Sequence, residues 1–183
     1  LKTALNALDG FSTVTPISTG FTAAIDPVSI TANAVRVFEV GLSQLGGAVV
    51  SVKSELTYGV DFVGTLSSVD PTASTLAVVP LKPLKPSTSY YVVVTNSLKD
   101  TAGDSVGASP AYTLFKSRST TYPDATAELL RQLVSASEFT VDYALEDLAA
   151  GNIVVSWSFT TQSIGTVLTK VRSDIRAGAI PVT

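Results

Sequence analysis

The pentapeptide Gly103-Asp104-Ser105-Val106-Gly107 fits G-x-S-x-G, the pattern that holds a nucleophilic serine on a sharp turn between a strand and a helix. Such a serine needs a base in reach to take its proton, and the 183-residue chain contains neither histidine nor cysteine. Without them the chain alone cannot assemble a Ser-His-Asp or Cys-His relay, an imidazole proton shuttle, a His- or Cys-ligated zinc, or an iron–sulfur cluster. The pentapeptide also follows a polar Lys-Asp turn, and no helical period follows it. Ser105 is therefore expected in a surface turn, and a self-sufficient hydrolase is rejected because no activated nucleophile can be built.

The remaining chemistry-bearing residues have plainer explanations. Glycoside chemistry needs two acids facing each other across a cleft, whereas Glu146 and Asp147 adjoin on a helical stretch and Asp142 and Glu146 share a solvated face. Asp100 and Asp104, with Asp61 or Asp70, could supply oxygens to Ca²⁺, but the spacing departs from the D-x-[DN]-x-[DN]-G loop. Turn carboxylates are the preferred reading. Pro80, Pro83 and Pro86, with Lys82 and Lys85 beside them, could serve as a polyproline ligand; a rigid crossover between two sheets is preferred. Trp157, the only tryptophan, is expected as a core anchor rather than a sugar-stacking platform beside Tyr90 or Tyr91. No catalytic, cofactor-binding or metal-binding residue is assigned.

The elements that would carry these residues are mostly strands. Hydrophobic residues make up 45% and charged residues 15% of the chain, well below the roughly 25% charge of an average soluble domain. The net charge of -3 gives no broad basic field, so nucleic acid is not an expected partner. Short β-branched runs divided by Gly, Pro and Asp predict strands at Gly20–Ile25, Val35–Val40, Val49–Lys53, Asp61–Leu66, Thr75–Val79, Tyr90–Thr95 and Tyr112–Lys116. Tyr90-Tyr91-Val92-Val93-Val94 is apolar on both faces, as a strand covered on each side must be. Arg36 and Glu39 interrupt their strand's faces.

After Thr121 the period lengthens. Asp124 can cap a helix carrying Ala127, Leu130 and Val134, a second helical stretch runs from about Thr140 to Ala150, and Gly151 is placed to end it. Ile153, Val155, Trp157 and Phe159 then alternate with Val154, Ser156, Ser158 and Thr160 as a strand with one buried and one nearly polar face. Ser163 can cap a last helix, about 163–177, with the stripe Ile164, Val167, Leu168, Val171 and Ile175, closing near Gly178. The predicted architecture is mainly β: one antiparallel β-sandwich domain over 1–183, with a helical insertion at about 122–150 before the last strand and a C-terminal helix. The chain starts at Leu1 without Met or an apolar leader and stops at Thr183, and it is read as an excerpt of a longer polypeptide.

Several segments resemble bacterial Ig-like domains. They are Pro16-Ile17-Ser18-Thr19-Gly20-Phe21 running to Asp26-Pro27-Val28-Ser29-Ile30; Pro80-Leu81-Lys82-Pro83-Leu84-Lys85-Pro86 with Tyr90 and Leu98-Lys99-Asp100-Thr101-Ala102-Gly103; and Ser158-Phe159-Thr160-Thr161. A narrower resemblance lies in Leu5-Asn6-Ala7-Leu8-Asp9-Gly10-Phe11-Ser12-Thr13, the doubled Pro-Leu-Lys-Pro and Trp157-Ser158-Phe159-Thr160-Thr161-Gln162-Ser163. Together these resemble the N-terminal domain of bacterial extracellular, virulence-type lipases, a family that includes surface lysophospholipases. The resemblance implies an Ig-like sandwich preceding an α/β-hydrolase domain that holds the nucleophile elbow and the histidine. It further implies an extracellular or outer-surface location, with that hydrolase domain as partner and a lipid or membrane surface as a second one. The alternative is a structural or adhesive Ig-like module of a cell-surface protein. The helical segments Ala127–Val134 and Ile164–Ile175 are expected to pack on the sandwich or to face the hydrolase domain. Lys170, Arg172 and Arg176 add positive charge for a membrane surface.

The purified chain is expected to show no ester hydrolysis above buffer in a p-nitrophenyl butyrate assay, and Ser105→Ala to leave that background unchanged. Turnover abolished by this substitution would overturn the exclusion of catalysis.

Overall fold

The computed structural model describes residues 9–178 except 45, 118, 146 and 147, and omits the side chains of 150 and 166–168. Leu5–Leu8 of the opening motif, the Glu146 and Asp147 carboxylates, the Val167 and Leu168 side chains and 179–183 thus lie outside the described residues.

Seven strands, β1 (Ile17–Gly20), β2 (Val35–Leu42), β3 (Val49–Glu55), β4 (Phe62–Leu66), β5 (Thr75–Pro80), β6 (Ser89–Thr95) and β7 (Ile153–Thr160), form two antiparallel sheets among the described residues. Their orders are β1-β5-β4 and β3-β2-β6-β7. Three helices accompany them: α1 (Pro110–Lys116), α2 (Ala125–Ala144) and α3 (Thr166–Arg176). The protein is mainly β, two sheets with helices.

The packing follows from the pleat. In β6, Tyr90, Val92 and Val94 point to one side and meet Phe62, Leu76 and Val78 of the smaller sheet. Tyr91 and Val93 point to the other side, where they join Phe38, Val40, Val49 and Ile153 against Val141 of α2 and Leu148. The larger sheet is thus the middle of three layers, and β6 is covered on both faces as its composition demands. Arg36 and Glu39 interrupt the faces of β2 at its rim. The Arg36 guanidinium makes two 2.7 Å bonds to Glu55, and Glu39 accepts from Lys85 at 2.6 Å.

Several boundaries differ from the sequence expectation. β1 lies at Ile17–Gly20, before the expected Gly20–Ile25; Ile25 makes only an isolated bridge to Asp100. There Asp26 accepts from the Val28 amide and Pro27 opens a 3-10 turn, bending the backbone out of the ladder. The expected strand Tyr112–Lys116 is helix α1. Ser109 accepts from the Tyr112 amide and Pro110 occupies the first turn, so the Ser-Pro start outweighs the β preference of Tyr-Thr-Leu-Phe.

The insertion contains one 20-residue helix rather than two stretches. Asp124 caps it, accepting from the Ala127 amide at 2.8 Å. Glu128 in its first turn accepts from Arg131, Gln132 and Tyr122, led by the Arg131 guanidinium, and its carboxyl is held down to about 2. The helix ends before Leu145 and Gly151 lies in a 3-10 turn, so that glycine caps nothing. Leu145 and Leu148 already turn back into the helix-side core, which ends the helix earlier.

In β7 the expected alternation breaks at a register shift between Val94 and Thr95 of its neighbour: Val94 pairs with Val155 and Thr95 with Ile153. Ile153 consequently faces α2, while Val154 and Phe159 face the sandwich. Trp157 packs on the sandwich core but stays half-buried, because β7 is an edge strand. Phe38 and Phe62 are the fully buried large aromatics. α3 starts after Gly165 with no side-chain cap, not from Ser163, whose hydroxyl and amide both go to Asp9. It closes at Gly178, whose φ of +69° fits a glycine stop.

Removing a buried aromatic from the helix-side core creates a cavity that neighbours only partly fill. Phe38→Ala should cost about 3–5 kcal/mol in urea unfolding, whereas Phe139→Ala, on the solvent side of α2, should stay within about 0.5 kcal/mol.

Candidate functional site: the amino-terminal clamp and the exit of the last strand

Asp9, Gly10 and Phe11 cross the end of β7 where the chain leaves the sheet. The Phe11 amide donates to the Thr160 carbonyl and the Gln162 amide donates back to the Phe11 carbonyl, both at 2.8 Å. This makes a short parallel pairing of Phe11 with Thr161. A Cβ at Gly10 would stand 2.6 Å from Gln162 N and from the Thr161 carbonyl carbon, and 2.7 Å from Thr160 O. Only glycine allows the two backbones this close. The Phe11 ring meets Phe159 edge-on at 6.1 Å.

Asp9 completes the clamp from the other side. Its carboxylate accepts the Ser163 amide at 2.9 Å, and the Ser163 hydroxyl and amide together hold its pKa below the usual carboxylate range. The next residues tie in the crossover. The Leu84 amide donates to the Thr13 carbonyl at 2.8 Å. Thr161, buried, donates its hydroxyl to the Lys85 carbonyl at 2.6 Å and accepts the Thr88 amide at 3.0 Å. The Pro80–Pro86 segment thus carries the chain from β5 to β6, pinned by Leu84, by Lys82 on Asp61 at 3.0 Å and by the Lys85 amide on the Tyr90 hydroxyl at 3.0 Å.

A second polar cluster lies between the larger sheet and the helices. Glu138, 1% exposed, accepts the Tyr112 hydroxyl at 2.6 Å. With that proton committed, the Ser156 hydroxyl donates to Tyr112 and accepts from Tyr91, each at 2.5 Å. Lys116 places its ammonium 3.8 Å from Glu138 and donates to the Ile153 carbonyl. Burial, first, pushes both phenols well above their ordinary pKa. The cluster joins α1 and α2 to β6 and β7. Sequence reasoning passed over Glu138. Its signal was position: a carboxylate on the helix face of Val134, Val141 and Leu145, where an apolar residue would otherwise stand.

The sequence candidates are held apart. Ser105 lies in a hairpin bridged to Lys99. Its hydroxyl donates to the Asn96 carbonyl and accepts from the Lys99 ammonium, both at 2.8 Å, so the oxygen sits between two turn partners. Contrary to the sequence expectation a helix does follow, but α1 starts only at Pro110, after the hairpin has closed, and Ser105 is not on a strand-to-helix turn. Asp100 accepts the Ala102 and Asp104 amides at 2.9 and 3.0 Å. Asp61 accepts the Thr57 amide at 2.8 Å. Asp70 accepts from Thr72 and Ser74, its carboxyl held far down chiefly by the Thr72 hydroxyl. Each aspartate closes its own turn, and among the described residues no three acids converge as metal ligands.

The clamp is built by the residues of the opening motif, and the family model named bacterial virulence factor lipase N-terminal matches residues 1–181. The chain belongs to that family. A search of curated proteins finds no match. Among solved structures, the surface layer protein SbsC (domains 1–6) is similar over 57% of this chain at 19% identity, with a TM-score of 0.34. A second SbsC crystal structure is similar over 56% at 19% identity, with a TM-score of 0.33. This chain spans 13% of the length of each of those chains.

Gly10→Ala is expected to destabilise the domain by roughly 1–3 kcal/mol, since the added methyl meets backbone that cannot move aside. The loss should appear as a lower melting temperature together with new protease cleavage near Ser163. A melt unchanged from the native chain would show that the clamp is not needed.

Proposed function

We propose that this chain is the non-catalytic N-terminal domain of a secreted or surface-exposed bacterial lipase, and that it orients an α/β-hydrolase domain carried by the same polypeptide. One observation carries the reading: a lipase N-terminal family model covers nearly the whole of a chain that contains no histidine. The catalytic relay of such an enzyme must then come from elsewhere in the polypeptide. The clamp supports an orienting role, because Asp9, Gly10 and Phe11 fix the backbone at Thr160–Ser163, from which α3 departs. The two-sheet architecture agrees with the Ig-like kinship proposed for it.

The test begins with the gene beyond Thr183. An open frame with G-x-S-x-G between a strand and a helix, followed by Asp and His, supports the reading; a stop codon or serial copies of this fold would replace it with a structural surface module. With such a frame in hand, deleting 1–183 should lower hydrolysis of lipid dispersed in micelles several-fold while sparing a soluble short-chain ester.

A further inference from the structure

α3 is unlike the other helices in what it touches. From Thr169 to Gly178 every residue is exposed except the half-buried Asp174, whereas α2 lies on β3 and buries Ser137, Glu138 and Val141. The exposure includes apolar side chains: Ile164, Val171 and Ile175 lie open to water at about one-half to two-fifths of their surface. At 100° per residue Val171 and Ile175 share one face of α3, which Val167 and Leu168 extend in the sequence pattern, and Ile164 lies just before the helix begins.

The charge around the stripe is ordered too. Lys170 pairs with Asp174 at 2.5 Å on one flank. Arg172 and Arg176 sit on the other flank, and no ion pair to either is found among the described residues. Of the 12 basic and 15 acidic residues in the chain, α3 holds three basic and one acidic. The rest of the protein therefore carries nine basic against fourteen acidic, and the molecule is a strongly acidic body with a small cationic, amphipathic helix at one exit.

We infer that α3 is a membrane-contact helix that lies in the headgroup layer of an anionic phospholipid bilayer. Its apolar stripe enters the acyl boundary and its arginines meet lipid phosphates. Three features select this occupant over a protein groove. The arginines border the stripe, where long side chains can snorkel to phosphate while their stems stay apolar. The polar face carries the uncharged Thr169 and Ser173, suited to water. The acidic body is repelled by the same lipid charge that attracts α3, so the molecule docks helix-first with the body held off the surface. Docked this way, the chain leaving the clamp meets the lipid directly. The inference extends the accessory-domain reading and stands on α3 itself.

The test is co-sedimentation of the 183-residue chain with vesicles of phosphatidylcholine and phosphatidylglycerol in equal parts, against phosphatidylcholine alone, at low and at high salt. The native chain should pellet with the mixed vesicles at low salt, release at high salt, and leave pure phosphatidylcholine largely unbound. Arg172→Gln with Arg176→Gln should weaken binding about thirty-fold, the change that two surface cations give, and Val171→Asp with Ile175→Asp should abolish it. Neither pair packs on the sheets, so an unchanged melting temperature in both variants certifies the fold. Absence of binding, equal binding to both vesicles, or insensitivity to either pair overturns the inference. So does a dimer, seen by light scattering, that Val171→Asp with Ile175→Asp dissolves; that result would give the stripe to a second copy. Because no hydrolysis is read, failure here leaves the accessory-domain reading to be judged on its own test.

Discussion

Strand β6 must be dry on both faces, and most of the architecture answers that need. Tyr90, Val92 and Val94 require a second sheet, and Tyr91 with Val93 require a further layer that a sandwich alone does not provide. A two-sheet protein with a solvated outer face would leave Phe38, Val40, Tyr91 and Val93 in water, at a cost of about 1.5–3 kcal/mol for each large side chain. The long insertion between β6 and β7 supplies the cover. It therefore reads as an integral layer, and its deletion would expose one side of the sheet at the protein's centre.

That cover is not fastened by apolar contact alone. Tyr91, Ser156, Tyr112 and Glu138 form a directed chain of hydroxyls ending on a carboxylate, with the Lys116 ammonium beside it. A buried carboxylate is expensive unless its lone pairs are met; here Tyr112 and Lys116 of α1 meet Glu138 of α2, and Ser156 of β7 and Tyr91 of β6 continue the chain. A slipped helix would leave those groups unpaired, so the network selects one seating of α1 and α2 where apolar packing would tolerate several.

The parts of the fold legible in the sequence were those set by local rules. The two-faced burial of β6, the Asp124 cap and the Gly178 stop depend on residues within a turn or on simple alternation. The misreadings came where two local rules competed or where a partner distant in sequence decided. Tyr-Thr-Leu-Phe prefers a strand until Ser109-Pro110 starts a helix. Ser163 has the chemistry of a cap, yet its hydroxyl is turned to Asp9, 154 residues earlier, which also takes its amide. The bulge in β7 reflects pairing with β6, which no pattern within β7 announces. For the candidate site, the opening motif was recognisable as a family mark, but its physical reason was not. Gly10 is required by backbone that passes 2.6 Å from its missing Cβ, and that backbone belongs to Thr161 and Gln162, just past β7 and about 150 residues away in sequence.

The same crossing has a mechanical consequence. Phe11 runs parallel to Thr161, so the polypeptide enters the pair at one end and leaves it at the other. Tension applied through the flanking segments would slide the two strands past each other lengthwise. The Phe11–Thr160, Gln162–Phe11 and Asp9–Ser163 bonds would then be loaded together instead of peeling one at a time. A domain tethered at both sides, with one flank on a surface and the other bearing a load, would meet pulling force with its least yielding geometry.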